Sequence, residues 1–127
     1  MEKPTNGSLC WFDMPVRNFE ETQAFYKELL GWSFQKFGSE GADREYWMML
    51  CGEQQIGGMY QIPDFEPANA LVPVMYFVVE TLDQSLEKAK SLGAKVTQEK
   101  TIIPEEGGVY AHIKDINGNT VGLWAKQ

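Results

Sequence analysis

The stretch WFDMPVRNFEETQAFYKELLGW, residues 11–32, carries a strand, a break, a capped helix and the start of a second strand. Residues 9–15 alternate with period two: Cys10, Phe12 and Met14 point one way, Trp11 and Asp13 the other, and Pro15 closes the run. Asn18 followed by Glu21 has the form of a capping box, and Phe19, Ala24, Phe25, Leu29 and Leu30 include helical spacings. Gly31 is placed to end that helix in a left-handed conformation. Strands are expected at 32–37, 44–51 and 55–61, and Gly57 with Gly58 signals a bulge or a close backbone approach.

Working outward, the layout returns. After the Pro-broken connector PDFEPANALVP, residues 74–80 are β-branched and aromatic, Thr81 with Gln84 again fits a capping box, and Leu82, Leu86, Ala89 and Leu92 give one apolar helix face ending at Gly93. Strands follow at 94–97, 109–114 and 120–125, the last two joined by DINGN, whose Asn117-Gly118 is a tight-hairpin signal. The chain therefore reads as one α+β domain in which a strand, a helix and two or three further strands occur twice: 9–61, a connector at 62–73, and 74–125.

A helix covers only one face of such a sheet. The greasier parity, Phe12, Met14, Met75, Phe77, Val79, Val109, Ala111, Ile113, Val121 and Leu123, is assigned to the core. The opposite parity, Trp11, Asp13, Val74, Tyr76, Val78, Tyr110, His112, Lys114, Gly122 and Trp124, mixes aromatics, small residues and a few charges, as a ligand cup or a subunit contact would.

Composition narrows the function. The 127 residues carry 11 Lys and Arg against 18 Asp and Glu, and a net charge of −7 opposes nucleic acid and anionic membranes as partners. No apolar run is long enough to span a bilayer, and MEKPTNGS lacks a signal-peptide pattern, so a cytoplasmic protein is expected. Cys10 and Cys51 sit singly in strand-like runs, without zinc or disulfide-framework spacing, and are expected to be buried thiols.

In order and spacing, WFDMPVRNFEETQAFYKELLGW, IGGMY, VVETLDQSLEKAKSLGAKV and DINGNTVGLW resemble the vicinal oxygen chelate superfamily, which includes glyoxalase, bleomycin-resistance proteins and extradiol dioxygenases. The resemblance covers nearly the whole chain. It implies paired βαβββ modules whose curved mixed sheets enclose a cup, often in a homodimer. It leaves the chemistry open, because this fold carries several reactions. Metal-bearing members place His or Glu ligands on four strands. Those positions fall here on Trp11, on Met48 or Met49, on Val74 and on Gly122, none of them a donor for a hard divalent ion. No metal and no cofactor are expected. A substitute set of Asp13, His112 and Glu53 has no supporting local spacing.

Trp11 and Trp124 lead the candidate ligand-binding residues, since flat aromatic faces take planar or cationic molecules; their structural alternative is packing at a dimer contact. Asp13 reads as an anchor for a cation or a general base, or else as a surface residue paired with Lys114 or Arg17. His112, the only histidine, and Tyr110 are candidate proton carriers, or else a hydrogen-bonded niche and a hydrated hydroxyl. Met48, Val74 and Tyr76 complete the lining. Tyr46 to Met49 is mostly core with one parity in the cavity, and the EEGG stretch at 105–108 reads as a mobile rim. The expected function is metal-independent binding of a small aromatic or cationic molecule. An enzyme of lyase or isomerase type and a non-catalytic interaction module are the alternatives.

Overall fold

A computed structural model describes residues 5–38, 45–63 and 72–127. The elements are β1 (Leu9–Val16), α1 (Phe19–Leu30), β2 (Ser33–Phe37), β3 (Tyr46–Cys51), β4 (Gln54–Gln61), β5 (Val74–Val78), α2 (Leu82–Ser91), β6 (Lys95–Ile102), β7 (Val109–Lys114) and β8 (Thr120–Ala125). Both expected modules are therefore βαβββ, in an α+β fold with mixed pairing. In the first module the strands run β2-β3-β4-β1, with β1 parallel to β4; in the second they run β6-β7-β8-β5, with β5 parallel to β8. Arg44 and residues 64–71 of the expected connector lie outside the described residues. The compact units divide at Trp11 and Pro73, so residues 5–10 go with the second module: Gly7 N donates to Val78 O at 2.8 Å and Val78 N to Ser8 O at 3.0 Å. No helix among the described residues is long and apolar enough to cross a membrane.

The two helices start and stop as their sequences direct, with one difference. Asn18 accepts from Glu21 N at 2.9 Å, and Gly31 ends α1 at φ 74°. Thr81 sits in the N-cap conformation, but its side chain makes no cap hydrogen bond. The second capping box is thus absent. Strand β6 extends five residues beyond the expected Thr97, because it pairs along β7 as far as Ile102↔Val109.

Each module has its own core. Met49 and Met59 are fully buried with Val16, and Phe12, Met14, Phe34 and Trp47 pack around them. In the second module Leu82, Leu86, Val109, Ala111, Ile113 and Ala125 form the cluster, flanked by Val79, Val121 and Leu123. Register pairs Met75 with Val121 and Phe77 with Leu123, so the helix-side parity is as the alternation predicts. Its degree of burial is not: Met75 is 49% exposed, whereas Tyr76 and Val78 on the opposite parity are each 6% exposed. The apolar parity at the end of β5 is less covered than the mixed one.

Gly57 and Gly58 satisfy both expectations. The β3–β4 register slips between Met49↔Gly57 and Leu50↔Gln55, leaving Ile56 as the extra residue of a bulge. A Cβ on Gly57 would lie 2.3 Å from Phe12 O, and one on Gly58 1.8 Å from Tyr46 Oη.

Candidate functional site

On the non-helical face of the first module, Asp13, Gly58 and Met48 stand in one register row. Met48 is therefore the residue on this face, and Met49 belongs to the core. Gly58 has no side chain, and the Tyr46 ring lies in the space a Cβ would take. That position brings Tyr46 Oη to 2.5 Å from Asp13 Oδ1, donating to it. The Trp11 indole N–H points to the same pair, 2.9 Å from Tyr46 Oη and 3.2 Å from Asp13 Oδ1. A half-buried carboxylate thus accepts hydrogen bonds from a phenol and an indole, both neutral donors. Arg17 Nη1 donates to Pro63 O.

The second module repeats the device with different chemistry. Gly122 pairs with Tyr76 and His112, and a Cβ there would meet Tyr76 Cδ2 at 2.2 Å, so the Tyr76 ring lies flat over it. Tyr76 Oη and His112 Nε2 are 2.7 Å apart. Tyr76, Tyr110 and His112 form a ring triangle with centroids 5.4 to 6.1 Å apart, at tilted or edge-on angles. Gln98 Nε2 donates to Tyr110 Oη at 2.8 Å. Val74 lies half-buried on this face, two residues from Tyr76.

Trp124 is on the same face but its N–H is committed, donating to Gly107 O at 2.7 Å. The EEGG stretch at 105–108, read as a mobile rim, lies in a hydrogen-bonded turn. Gly107 N bonds Pro104 O at 3.2 Å and Ile103 N bonds Gly108 O at 2.9 Å, while Glu105 and Glu106 sit at φ 60° and 61°. Two positive φ angles at the centre make a type I′ turn, which here lacks its usual Asn-Gly. Cys10 is half-buried, with Sγ 3.6 Å from Tyr76 O, and burial pushes its thiol up. Cys51 is exposed, contrary to expectation, because it ends β3 at the turn into β4. A depression of about 480 Å³ lies on the helix side of the first module between Phe19, Gln23, Glu45 and Trp47.

A divalent centre of the family type does not suit these residues. Trp11, Met48 and Val74 bring indole, thioether and alkyl groups, and Gly122 offers neither a donor nor room for one beneath Tyr76. Among the described residues no group of three or more His, Cys, Asp or Glu is placed to hold a metal ion. Sequence reading put Tyr46 in a mostly core stretch with one parity in the cavity, without its link to Asp13, and missed Gln98. The glycine pair at 57–58 was the available signal for Tyr46, since a notch in a packed sheet needs a large neighbour; nothing local marks Gln98.

The family model for the glyoxalase/bleomycin resistance protein/dioxygenase superfamily matches residues 8–123. No curated protein matches in sequence. Among solved structures, a hypothetical protein from Bacillus halodurans C-125 superposes with TM-score 0.73 at 12% identity, over 97% of this chain and 96% of that one. Methylmalonyl-CoA epimerase from Mycobacterium tuberculosis gives 0.69 at 14%, over 98% and 92%. A variant of homoprotocatechuate 2,3-dioxygenase from B. fuscum gives 0.67 at 15%, over 96% of this chain and 33% of that larger one. At these identities the likeness is one of fold.

Proposed function

The chain belongs to the glyoxalase/bleomycin resistance protein/dioxygenase superfamily, and from that premise we propose that it binds a small planar aromatic molecule, preferably cationic, without a protein-held divalent ion. The observation that carries this reading is the replacement of ion donors by hydrogen-bonded aromatics: Trp11 and Tyr46 bracket the Asp13 carboxylate, and the Tyr76 ring fills the notch at Gly122. Stacking and cation–π contacts contribute about 0.5–2 kcal/mol each, so a few of them support a useful affinity. In the first module the proposed ligand contacts are Trp11, Asp13 and Met48; in the second, taken by itself, they are Val74, Tyr76, Tyr110, His112 and Trp124. The net charge of −7 favours a cation. We read the chain as one cytoplasmic domain, and the resemblance to the family implies a homodimer.

Thermal melts with proflavine, a planar cation, and with naphthalene disulfonate, a planar anion, test this. Proflavine raises the melting temperature in proportion to the logarithm of its excess over Kd, and Trp11→Ala weakens the effect. A shift with the anion alone, or with neither, overturns the reading. A second reading, an enzyme of lyase or isomerase type, is favoured by the 2.7 Å Tyr76–His112 contact, through which a proton can pass. Mass spectrometry of bound ligand after incubation checks it: conversion must occur in the wild type and stop in His112→Gln.

A further inference from the structure

We propose that Tyr110 is a dedicated hydrogen-bond donor to a carbonyl oxygen on the aromatic ligand, aimed by Gln98 and Thr101 as positioning residues. The inference rests on the aromatic-binding reading above and specifies the polar group that the ligand presents to the second module.

The starting observation is a strand that breaks its own alternation. Gln98 and Thr101 are three residues apart, so a regular β6 would turn them to opposite faces. Register shifts between Val96 and Gln98, and again between Gln98 and Thr101, place Gln98 opposite His112 and Thr101 opposite Tyr110. Both side chains therefore reach the face that carries Tyr110. Bulges re-aim side chains in this way and are over-represented beside functional sites.

The hydrogen-bond directions then follow one from another. Thr101 Oγ1 lies 2.9 Å from the Glu99 carbonyl, which can only accept, so the hydroxyl spends its hydrogen there. Thr101 Oγ1 must accordingly accept from Gln98 at 3.2 Å, and the Gln98 atom facing it is the amide nitrogen. The same nitrogen lies 2.8 Å from Tyr110 Oη and donates its other hydrogen to it. Tyr110 is therefore an acceptor in this chain, and its own O–H is left over. No acceptor for that hydrogen occurs among the described residues; the rings beside Tyr110 are Tyr76, edge-on, and His112, tilted. The phenol is half-buried, oriented from behind, and has one donor to give.

A ligand stacked against these rings meets that donor with an acceptor oxygen. A neutral carbonyl suits it better than a carboxylate. The chain carries a charge of −7, and the turn bearing Glu105 and Glu106 is bonded to Trp124, the strand partner of Tyr110.

The test uses two molecules of nearly the same shape, 9-fluorenone and fluorene, titrated by quenching of tryptophan fluorescence, with fluorene-9-carboxylate as the anionic arm. Wild type should bind fluorenone about fivefold more tightly than fluorene, the effect of one net hydrogen bond. Tyr110→Phe should bring the ratio to about one. Gln98→Glu, equal in shape, should also abolish the preference, because its carboxylate captures the Tyr110 hydrogen. Thr101→Val should reduce it. Equal binding of ketone and hydrocarbon by wild type, or a ratio that survives Tyr110→Phe, overturns the inference. Tightest binding of the carboxylate overturns the carbonyl assignment. If proflavine binds but fluorenone does not, this inference falls and the aromatic-binding reading stands; if no planar aromatic binds, both fall.

Discussion

The two modules share a plan and are held together differently. Helix α2 puts Leu82 and Leu86 into its core, whereas α1 buries none of its residues and leaves Phe25 and Leu29 58% and 62% exposed. In exchange α1 has a formed side-chain cap, and Tyr26 stacks on Trp32 with centroids 4.9 Å apart. Helices of this length are marginal on propensity alone, so each needs support. In the second module it comes from burial; in the first, from local contacts at the helix ends. A duplicated topology thus does not require a duplicated energy distribution.

Core truncation should expose that difference most strongly. Leu82→Ala should destabilise by about 3 kcal/mol in urea unfolding, and Leu29→Ala by less than about 0.5 kcal/mol. Equal costs would erase the distinction. Next come the glycine notches, the feature the modules share. Gly58→Ala and Gly122→Ala should each cost about 2 kcal/mol through the displaced tyrosine ring. Combining Gly122→Ala with Tyr76→Ala should cost less than the two changes summed, as coupled neighbours do. The caps should differ by a smaller amount: Asn18→Ala should lose about 1 kcal/mol, and Thr81→Ala almost nothing, because only Asn18 accepts a bond.

The smallest expected effect is confined to the second module and appears as a pH dependence. Backbone N–H groups of Asn119 and Asn117 hold the Asp115 carboxyl below its usual range. Its contribution is therefore present above the unfolded value, about 4, and is lost as pH falls toward the lower folded value. The stability gap between wild type and Asp115→Ala, followed by urea melts from pH 6 downward, should narrow only in that acidic interval.

Much of the fold was legible in the sequence. Alternation marked β1, β7 and β8, glycine marked the end of α1, and Asn117-Gly118 marked the last hairpin, all through interactions within a few residues. The site was less legible. Trp11 and Asp13 share a strand face and were found together. Tyr46, their hydrogen-bond partner, is more than thirty residues away and was grouped with the core stretch around it. Thr81 shows the opposite error: a cap motif was present, but its side chain made no bond.

The sequence by itself determined the repeated βαβββ plan, the two parities of each sheet and the lack of hard-metal donors at the resembled positions, because periodicity, capping and side-chain chemistry are properties of near neighbours. Only the tertiary structure decided that tyrosine rings fill the notches at Gly58 and Gly122, and that two bulges in β6 leave Tyr110 with a hydrogen to donate. Those outcomes depend on strand register between distant segments, where a shift of one residue turns a side chain to the other face.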